Sequence, residues 1–323
     1  MLRQLSIHNR SAGELRQLAA QRRELAAAKT GSLRALLLKE AKLLDFQAEL
    51  RIWVERPGTE THGTDQRGDP RPANLQSIPY DLAPLVAKLS SRLGLTAADQ
   101  QAFLAATSLP RYVEKGECLI EQGEDAAELM ILCRGMTHTV RTLADGKQQI
   151  VAVSLAGDFL NSGGVLFRQA RNSIFALTPA ICLSLPFKQV EALARTRPAI
   201  AHALWLETAA QAAVQQEWMV WLGRRAAQTR LAHFLCEVTY RLHLAGIGTR
   251  GEFEFPLTQR ELADLLGLSA VHVNRTLQIL RGQNLVELNH QRLKVCNREG
   301  LYEVAEFDPR YLEGPAFSAG GSI

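Results

Sequence analysis

A short polar face near the C-terminal end of the chain has side chains that can read DNA bases. Val271, Asn274, Arg275 and Gln278 recur at three- and four-residue spacing, which places them on one side of a helix. Arginine can donate two hydrogen bonds to guanine, asparagine or glutamine can bond adenine in the same manner, and valine can contact a thymine methyl group. The spacing therefore predicts a base-reading face.

Further residues in this region are suited to bind DNA phosphates, because hydroxyl, guanidinium and imidazole groups are common phosphate donors, and Thr258, Arg260 and Ser269 also lie at predicted helix N-termini. The predicted set is Thr258, Arg260, Ser269, His272 and Arg281. Residues 223–300 hold 11 Lys and Arg against 7 Asp and Glu, so their net charge is 11 − 7 = +4. A basic segment favours a polyanionic partner such as double-stranded DNA.

Two helices joined by a tight turn would hold these side chains in place. Thr258–Glu261 is a capping-box sequence, and Gly267–Ser269 predicts a turn whose serine caps a second helix over residues 270–281. Two β-prone runs, Leu285–Leu288 and Leu293–Val295, then flank a basic turn. The pattern predicts a helix-turn-helix followed by a wing. A plain helical hairpin with a solvated polar face is the alternative.

The region before these helices has a different character. Between residues 110 and 187, turn signals at glycines separate most of a series of short β-prone runs. The runs are Cys118–Ile120, Leu129–Leu132, Thr137–Arg141, Ile150–Ser154, Ser173–Leu177 and Ile181–Leu185. Many short strands at close spacing predict a small antiparallel barrel or jelly roll, and hence an α+β chain.

A long apolar helix is predicted between the two regions, because Pro198 suits a first helical turn and apolar residues recur through Leu222. Its continuous stripe consists of Ala203, Leu206, Ala210, Val214, Trp218 and Trp221. Such a stripe between two domains predicts a dimerisation helix. A helix buried against the β domain fits the same pattern equally well.

Ahead of these regions, residues 12–54 favour helix with a break near Gly31, and Pro57–Ser77 has the composition of a linker. The sequence indicates no function for this extension. The predicted division is a helical extension and linker (1–80), a β-roll sensor domain (81–194), the dimerisation helix (195–222), and a winged helix-turn-helix with a tail (223–323).

Several classes of protein are disfavoured. The five cysteines are Cys118, Cys133, Cys182, Cys236 and Cys296. They form no CxxC pair, which argues against a disulfide, zinc or iron–sulfur framework and favours a reducing, cytoplasmic compartment. Early charges argue against a signal peptide. The apolar stretch Ala199–Leu222 contains too many polar residues to span a membrane. No hydrolase, metalloprotease, P-loop or dinucleotide motif is recognisable, so we expect no enzyme, metal or cofactor.

With these motifs in place, residues 85–310 resemble the Crp/Fnr family of bacterial transcription regulators. The most specific part is LTQRELADLLGLSAVHVNRTLQILRGQNLVEL, residues 257–288. EKGECLIEQGEDAAELMILCRG and LAGDFL, within residues 114–160, resemble the family's cyclic-nucleotide-binding-type β-roll, and the tail at 299–312 is similar to one proteobacterial branch. The resemblance implies a homodimer on a two-fold-symmetric operator with half-sites about 34 Å apart. RNA polymerase is a further candidate partner.

The departures from the family bear on the effector. In cyclic-AMP-responsive members a glutamate that binds the ribose follows the GDF motif. An Arg-Ser pair, whose arginine binds the cyclic phosphate, comes about ten residues after that glutamate. The corresponding residues here are Ser162 and Asn172-Ser173, with Arg171 one position away. The implied effector pocket is Ser162, Gly163, Gly164, Arg171, Asn172 and Ser173. Because the carboxylate and the aligned guanidinium are missing, we predict that cyclic AMP is not the effector, whose identity the sequence does not give.

The second predicted helix of the helix-turn-helix, residues 270–281, also departs from the family's usual sequence. Val271 stands where the family usually has a glutamate, and Ala270 stands where cyclic-AMP-type members often have an arginine. The alternatives for function are a cyclic-nucleotide-type module without a DNA role and a haem- or redox-sensing module. A haem would need His138 or Cys118 as an axial ligand, and a redox switch would need Cys118 or Cys133.

Overall fold

The architecture comes from a computed structural model, which describes residues 10–54, 62–64, 70–72, 82–108, 110–247 and 252–313. The chain is α+β, with an N-terminal helical hairpin, an antiparallel β domain, a long helix and a C-terminal helix-turn-helix with a small sheet. In this part of the chain no helix combines the length and apolarity that a membrane crossing requires.

The N-terminal extension is an antiparallel pair of helices, α1 (Ala12–Ala27) and α2 (Gly31–Val54), which confirms the predicted break near Gly31. Ser11 and Glu14 form a capping box at the start of α1. The helices approach closely because their contact is rich in alanine; the buried residues are Leu15, Ala19, Ala41, Leu44 and Ala48. The predicted linker lies largely outside the described residues, but β1 (His62–Thr64) pairs there with β2 (Pro70–Pro72).

Two short helices, α3 (Ala83–Ala87) and α4 (Ala97–Ala105), precede the β domain, and a π-helical turn at Lys88–Arg92 follows α3. Leucines of α3 and the π-helical turn pack into the same core as the β strands and the first turns of the long helix. This segment therefore belongs structurally to the β domain.

The β domain is two antiparallel sheets. Its strands are β3 (Arg111–Val113), β4 (Cys118–Ile120), β5 (Glu128–Arg134), β6 (Met136–Thr142), β7 (Gln148–Leu155), β8 (Ser173–Ala176) and β9 (Ala180–Pro186). One sheet has the order β3-β9-β5 and the other β4-β8-β6-β7. All six predicted runs fall on strands, whereas β3 was not predicted. Gly135 turns the chain at φ +93°, where a β-carbon would lie 2.7 Å from the Pro179 carbonyl oxygen, so glycine is required.

Helix α5 (Gly164–Phe167) interrupts the strands, and after β9 come α6 (Phe187–Thr196) and the long helix α7 (Pro198–Arg224). Helix α8 (Ala227–Leu244) follows. The long helix therefore continues through Gly223 to Arg224, two residues past the predicted end at residue 222. A single exposed glycine does not end a helix whose neighbouring turns are packed.

The C-terminal region packs two further helices on α8. They are α9 (Gln259–Leu266) and α10 (Ala270–Gly282), followed by α11 (Arg298–Ala305) and a 3₁₀ turn at Pro309–Leu312. A three-stranded sheet has the order β10-β12-β11, where β10 is Glu252–Glu254, β11 is Val286–Asn289 and β12 is Arg292–Val295. One continuous core joins this region to β6 and β7 of the β domain.

Candidate nucleic-acid interface and effector cavity

Helices α9 and α10 both begin at side-chain caps. The Thr258 hydroxyl accepts a hydrogen bond from the Glu261 amide (3.2 Å), and the Glu261 carboxylate accepts one from the Thr258 amide (2.6 Å). Ser269 caps α10 by accepting from the His272 amide at 3.2 Å. Gly267, at φ +64°, ends α9 in the left-handed conformation. The capping box and glycine turn predicted from the sequence are confirmed.

Helix α10 is amphipathic. Its inner face is anchored by Val273, Leu277 and Leu280, which are at most 1% exposed. The outward side chains are those predicted to read bases: Val271, Asn274, Arg275 and Gln278. Val271 is 81% exposed, so its methyl groups are accessible for the predicted contact with a thymine methyl group.

Asn274 has a polar neighbour on the preceding helix. Its Nδ2 donates to Oε1 of Gln259, the first residue of α9, at 3.3 Å. An asparagine amide has two N–H donors and one carbonyl acceptor, so one donor and the acceptor remain for an adenine edge. Gln259 thus restricts the orientation of the Asn274 amide without consuming its base-reading groups. The sequence analysis did not single out Gln259, because its contact crosses between two helices.

The residues predicted to bind phosphate divide into two groups. Four lie exposed at or near the starts of α9 and α10: Thr258, Arg260, Ser269 and His272. Arg281 is half-buried, and its guanidinium donates to the Leu288 carbonyl oxygen in β11. The structure therefore uses Arg281 to fasten α10 to the wing. Because this bond uses only one of the five guanidinium N–H donors, the predicted phosphate role of Arg281 stays a prediction.

The predicted wing is the β11–β12 hairpin. Its two turn residues, His290 and Gln291, have φ of +47° and +61°, the conformation of a two-residue type I′ turn. Arg292 pairs with Glu252, and Lys294 lies 3.4 Å from Glu287. These carboxylates offset the wing's cations, so its basic character is weaker than the sequence alone indicates.

A cavity of about 410 Å³ lies between the β domain and α7. This volume suits a small-molecule ligand. Five of the six predicted effector residues line it: Ser162, Gly163, Gly164, Arg171 and Asn172. The Arg171 guanidinium lies 4.5 Å from the centre of the Phe167 ring.

Ser173 is the sixth predicted effector residue, and the structure places it elsewhere. It is buried, it does not line the cavity, and its hydroxyl accepts a hydrogen bond from the Gln122 amide at 3.0 Å. The predicted role of Ser173 in the pocket is therefore corrected to a structural contact between β8 and the β4–β5 connection.

Four charged side chains line the same cavity and pair with one another. Lys88 Nζ lies 2.8 Å from carboxylate oxygens of Asp158 and Glu207, and Arg241 lies 2.6 Å from Asp158. Burial acts to raise the pKa of Asp158, but the two cations outweigh it and hold that pKa below its ordinary value. Asp158 is consequently ionised at neutral pH and holds both cations.

The sequence analysis quoted the motif that contains Asp158 but did not identify its partners. Lys88, Glu207 and Arg241 lie 70, 49 and 83 positions away along the chain, and no local spacing relates them. Only the fold brings these charges together.

Helix α7 has two apolar faces, and the predicted stripe occupies the inner one. Trp218 and Trp221 are 4% and 0% exposed in the core shared with α8, and Ala203 is buried in the core of the β domain. Ala210 and Val214 line the cavity, and Leu206 packs against the β-domain core. The predicted dimerisation stripe therefore lies against its own protomer in this single chain, and its role in a dimer stays a prediction.

The outer face of α7 carries a different apolar row. Trp205 and Met219 are 81% and 67% exposed, and Ala209, Ala212 and Gln216 between them are also exposed. These five residues, here called the seam, alternate at four- and three-residue steps, which is the heptad spacing of a two-helix contact. Alanines at two positions would allow close approach of a second helix.

The residues considered for haem or redox chemistry lie in unsuitable surroundings. Burial and the neighbouring Glu121 raise the pKa of the Cys118 thiol, which disfavours the reactive thiolate. Cys133 is buried, and burial lowers the pKa of His138, whose ring lies 5.9 Å from that of Phe175. Within the described ranges, no three His, Cys, Asp or Glu residues are grouped so that they could hold a metal ion.

Comparisons with known proteins agree with this geometry. Residues 229–304 match the family model of a Crp-like helix-turn-helix domain, and residues 110–197 match that of the cyclic nucleotide-binding domain. The α1–α2 hairpin lies outside both matches.

Curated relatives and solved structures have similar descriptions. A probable transcriptional activator of Rhizobium leguminosarum bv. viciae is 28% identical over 185 residues, which is 57% of this chain and 76% of the relative. The nitrogen fixation regulation protein FixK of Azorhizobium caulinodans is 27% identical over 210 residues, 64% and 84% of the two chains. The structure of FixK2 from Bradyrhizobium japonicum is 26% identical with a TM-score of 0.56, covering 61% of this chain and 96% of that one.

Proposed function

Because the chain belongs to the Crp/Fnr family of DNA-binding transcription regulators, we propose that it binds a two-fold-symmetric operator as a homodimer. Each protomer inserts the N-terminal part of α10 into the major groove. The observation that carries the proposal is the exposed row on α10, where Arg275 lies among Val271, Asn274 and Gln278. Family members are regulators and not enzymes.

The homodimer proposal rests on the seam of α7. Two copies of α7 that pair along the seam bury Trp205 and Met219, the most exposed large apolar residues of that helix. We place the regulator in the cytoplasm, where operator DNA and RNA polymerase are accessible. We keep the four-part division predicted from the sequence, whose third part, residues 195–222, corresponds to α7 (Pro198–Arg224).

We propose further that cyclic AMP is not the effector. Ser162 replaces the ribose-binding glutamate of the family and instead donates to Gln211 Oε1 at 3.1 Å. Arg171 stacks on Phe167, and Ser173 is already bonded to a backbone amide. A cyclic phosphate would therefore lack the bidentate partner that strengthens such contacts. Calorimetry with cyclic AMP and the purified protein tests this, and micromolar binding would contradict it.

The DNA proposal is tested by selecting binding sites from random DNA with the wild-type protein, Arg275→Ala and Arg195→Gln. Arg195 is exposed on α6 in the β domain, so Arg195→Gln controls for the loss of one positive charge. We expect a two-fold-symmetric consensus, and a loss of preference at one base of each half-site in Arg275→Ala with a cost of about 1–3 kcal/mol. Salt-sensitive binding without any consensus would contradict the proposal.

A further inference from the structure

Arg241 belongs to α8, the first helix of the DNA-binding region, yet its side chain lines the cavity of the β domain. Its guanidinium donates to an Asp158 carboxylate oxygen at 2.6 Å and to the Val153 carbonyl oxygen at 3.1 Å. Both acceptors belong to the β domain. One side chain of the DNA-binding region therefore forms part of the wall of the effector cavity.

Arg241 is also fixed on its own side of the boundary. Its Nη1 lies 3.3 Å from Oε1 of Glu237, one turn earlier on α8. Glu237 is fully buried and accepts hydrogen bonds from Trp218 Nε1 (2.8 Å) and the Tyr311 hydroxyl (3.0 Å). Because two further donors hold Glu237 in place, its bond to Arg241 ties the guanidinium to α8, so the contact with Asp158 connects the β domain to this helix.

Asp158 is shared between the two regions. It binds Arg241 of α8 and also Lys88, which in turn binds Glu207 of α7. All four side chains line the cavity and are at most 16% exposed. A polar ligand that reaches this cluster must compete with these pairs, because buried charges are stable only while they stay partnered.

The C-terminal tail makes a second link at the same place. Leu312, which follows Tyr311 in the 3₁₀ turn, lines the cavity, and its carbonyl oxygen accepts a hydrogen bond from Arg92 at 2.7 Å. Arg92 lies in the π-helical turn ahead of the β domain. The DNA-binding region thus touches the cavity through both α8 and the tail.

We infer that the Asp158–Arg241 pair couples the state of the cavity directly to the position of the DNA-binding region, in addition to any movement of α7. When the pair is intact, α8 and the helix-turn-helix are held against the β domain at a defined angle. When a ligand or a substitution breaks it, the helix-turn-helix loses that restraint. This inference rests on the proposed function, because DNA affinity is its readout.

The test is a double-mutant cycle on Asp158→Asn and Arg241→Gln, with affinity measured for the duplex that the wild-type protein selects. Arg195→Gln is the control for a lost charge. We expect Arg241→Gln to weaken specific binding at least tenfold and to have less than a threefold further effect when residue 158 is already asparagine. Independent, multiplying effects of the two substitutions, or wild-type affinity in Arg241→Gln, would overturn the inference.

Cooperative thermal unfolding of each variant shows that it is folded. If Arg241→Gln does not unfold cooperatively, Arg241→Lys replaces it. Lysine keeps the charge but has a single nitrogen on a shorter side chain, so it cannot reproduce the two-nitrogen contact with Asp158, Glu237 and the Val153 carbonyl. A loss of at least threefold that disappears in the Asp158→Asn background then supports the coupling, and wild-type affinity contradicts it. A wild-type protein that selects no DNA sequence would instead contradict the proposed function itself.

Discussion

Replacing Trp205 with alanine distinguishes which face of α7 pairs with a second chain. A tryptophan side chain offers roughly 200 Å² of surface, and 81% of Trp205 is exposed in the protomer. At about 25 cal/mol per Å², full burial of about 160 Å² stabilises the dimer by about 4 kcal/mol for each protomer. If the seam covers half of each ring, the two copies together contribute about 4 kcal/mol. We therefore expect Trp205→Ala to raise the dimer dissociation constant at least a hundredfold, since about 1.4 kcal/mol corresponds to tenfold.

Sedimentation equilibrium over a range of protein concentrations measures this constant, and denaturant unfolding measures the stability of the fold. Leu166→Ala is the matched control, because Leu166 is 82% exposed on α5 and lies outside the seam; it should dimerise like the wild-type protein. Trp218→Ala should have the opposite pattern to Trp205→Ala, with an effect on the stability of the fold rather than on dimerisation. Trp218 is buried and bonded to Glu237, so its loss should lower the free energy of unfolding by about 3–5 kcal/mol. Wild-type dimerisation of Trp205→Ala would refute the assignment of the seam.

Three further predictions concern the stability of the DNA-binding region. Gly267→Val should lower the free energy of unfolding by about 1–2 kcal/mol, because Gly267 has a φ of +64°; denaturant melts should show a smaller loss for Gly267→Asn, and equal losses would contradict the reasoning. Burial lowers the pKa of His233 to about 4 in the folded protein, whereas the pKa of an unfolded histidine is about 6.5. The free energy of unfolding should therefore be highest above about pH 6.5 and should fall by roughly 3 kcal/mol as the pH drops to about 4. Urea midpoints across this pH range should depend less steeply on pH for His233→Gln than for the wild-type protein. An unchanged slope would contradict the assignment of this pH dependence to His233. In the wing, His290→Asn combined with Gln291→Gly should raise the thermal midpoint, because Asn-Gly suits two successive positive φ angles; no gain would indicate that the turn is not strained.

The local parts of the DNA-binding region could be predicted from the sequence because their causes act over three or four residues. A capping box needs Thr258 and Glu261 at one spacing, the turn needs Gly267, and the inner face of α10 needs Val273, Leu277 and Leu280. The short strands of the β domain were likewise predictable from β-prone runs between turn residues. Each of these signals is complete within one segment of chain.

The sequence did not decide between alternatives where burial by a distant element determines the outcome. Both faces of α7 have apolar residues at helical spacing, so periodicity alone did not show that Trp221 is covered by the same protomer while Trp205 is exposed. Arg281 looked like a free cation until the fold placed the Leu288 carbonyl oxygen beside it.

The effector cavity shows the same division. The sequence by itself determined the family, the β-roll, the helix-turn-helix and the loss of the ribose-binding carboxylate at Ser162. Only the tertiary structure decided that Lys88, Asp158, Glu207 and Arg241 meet in one cavity wall. A local pattern specifies which surface a segment presents, but the energy of a buried charge depends on the groups that the rest of the fold places around it.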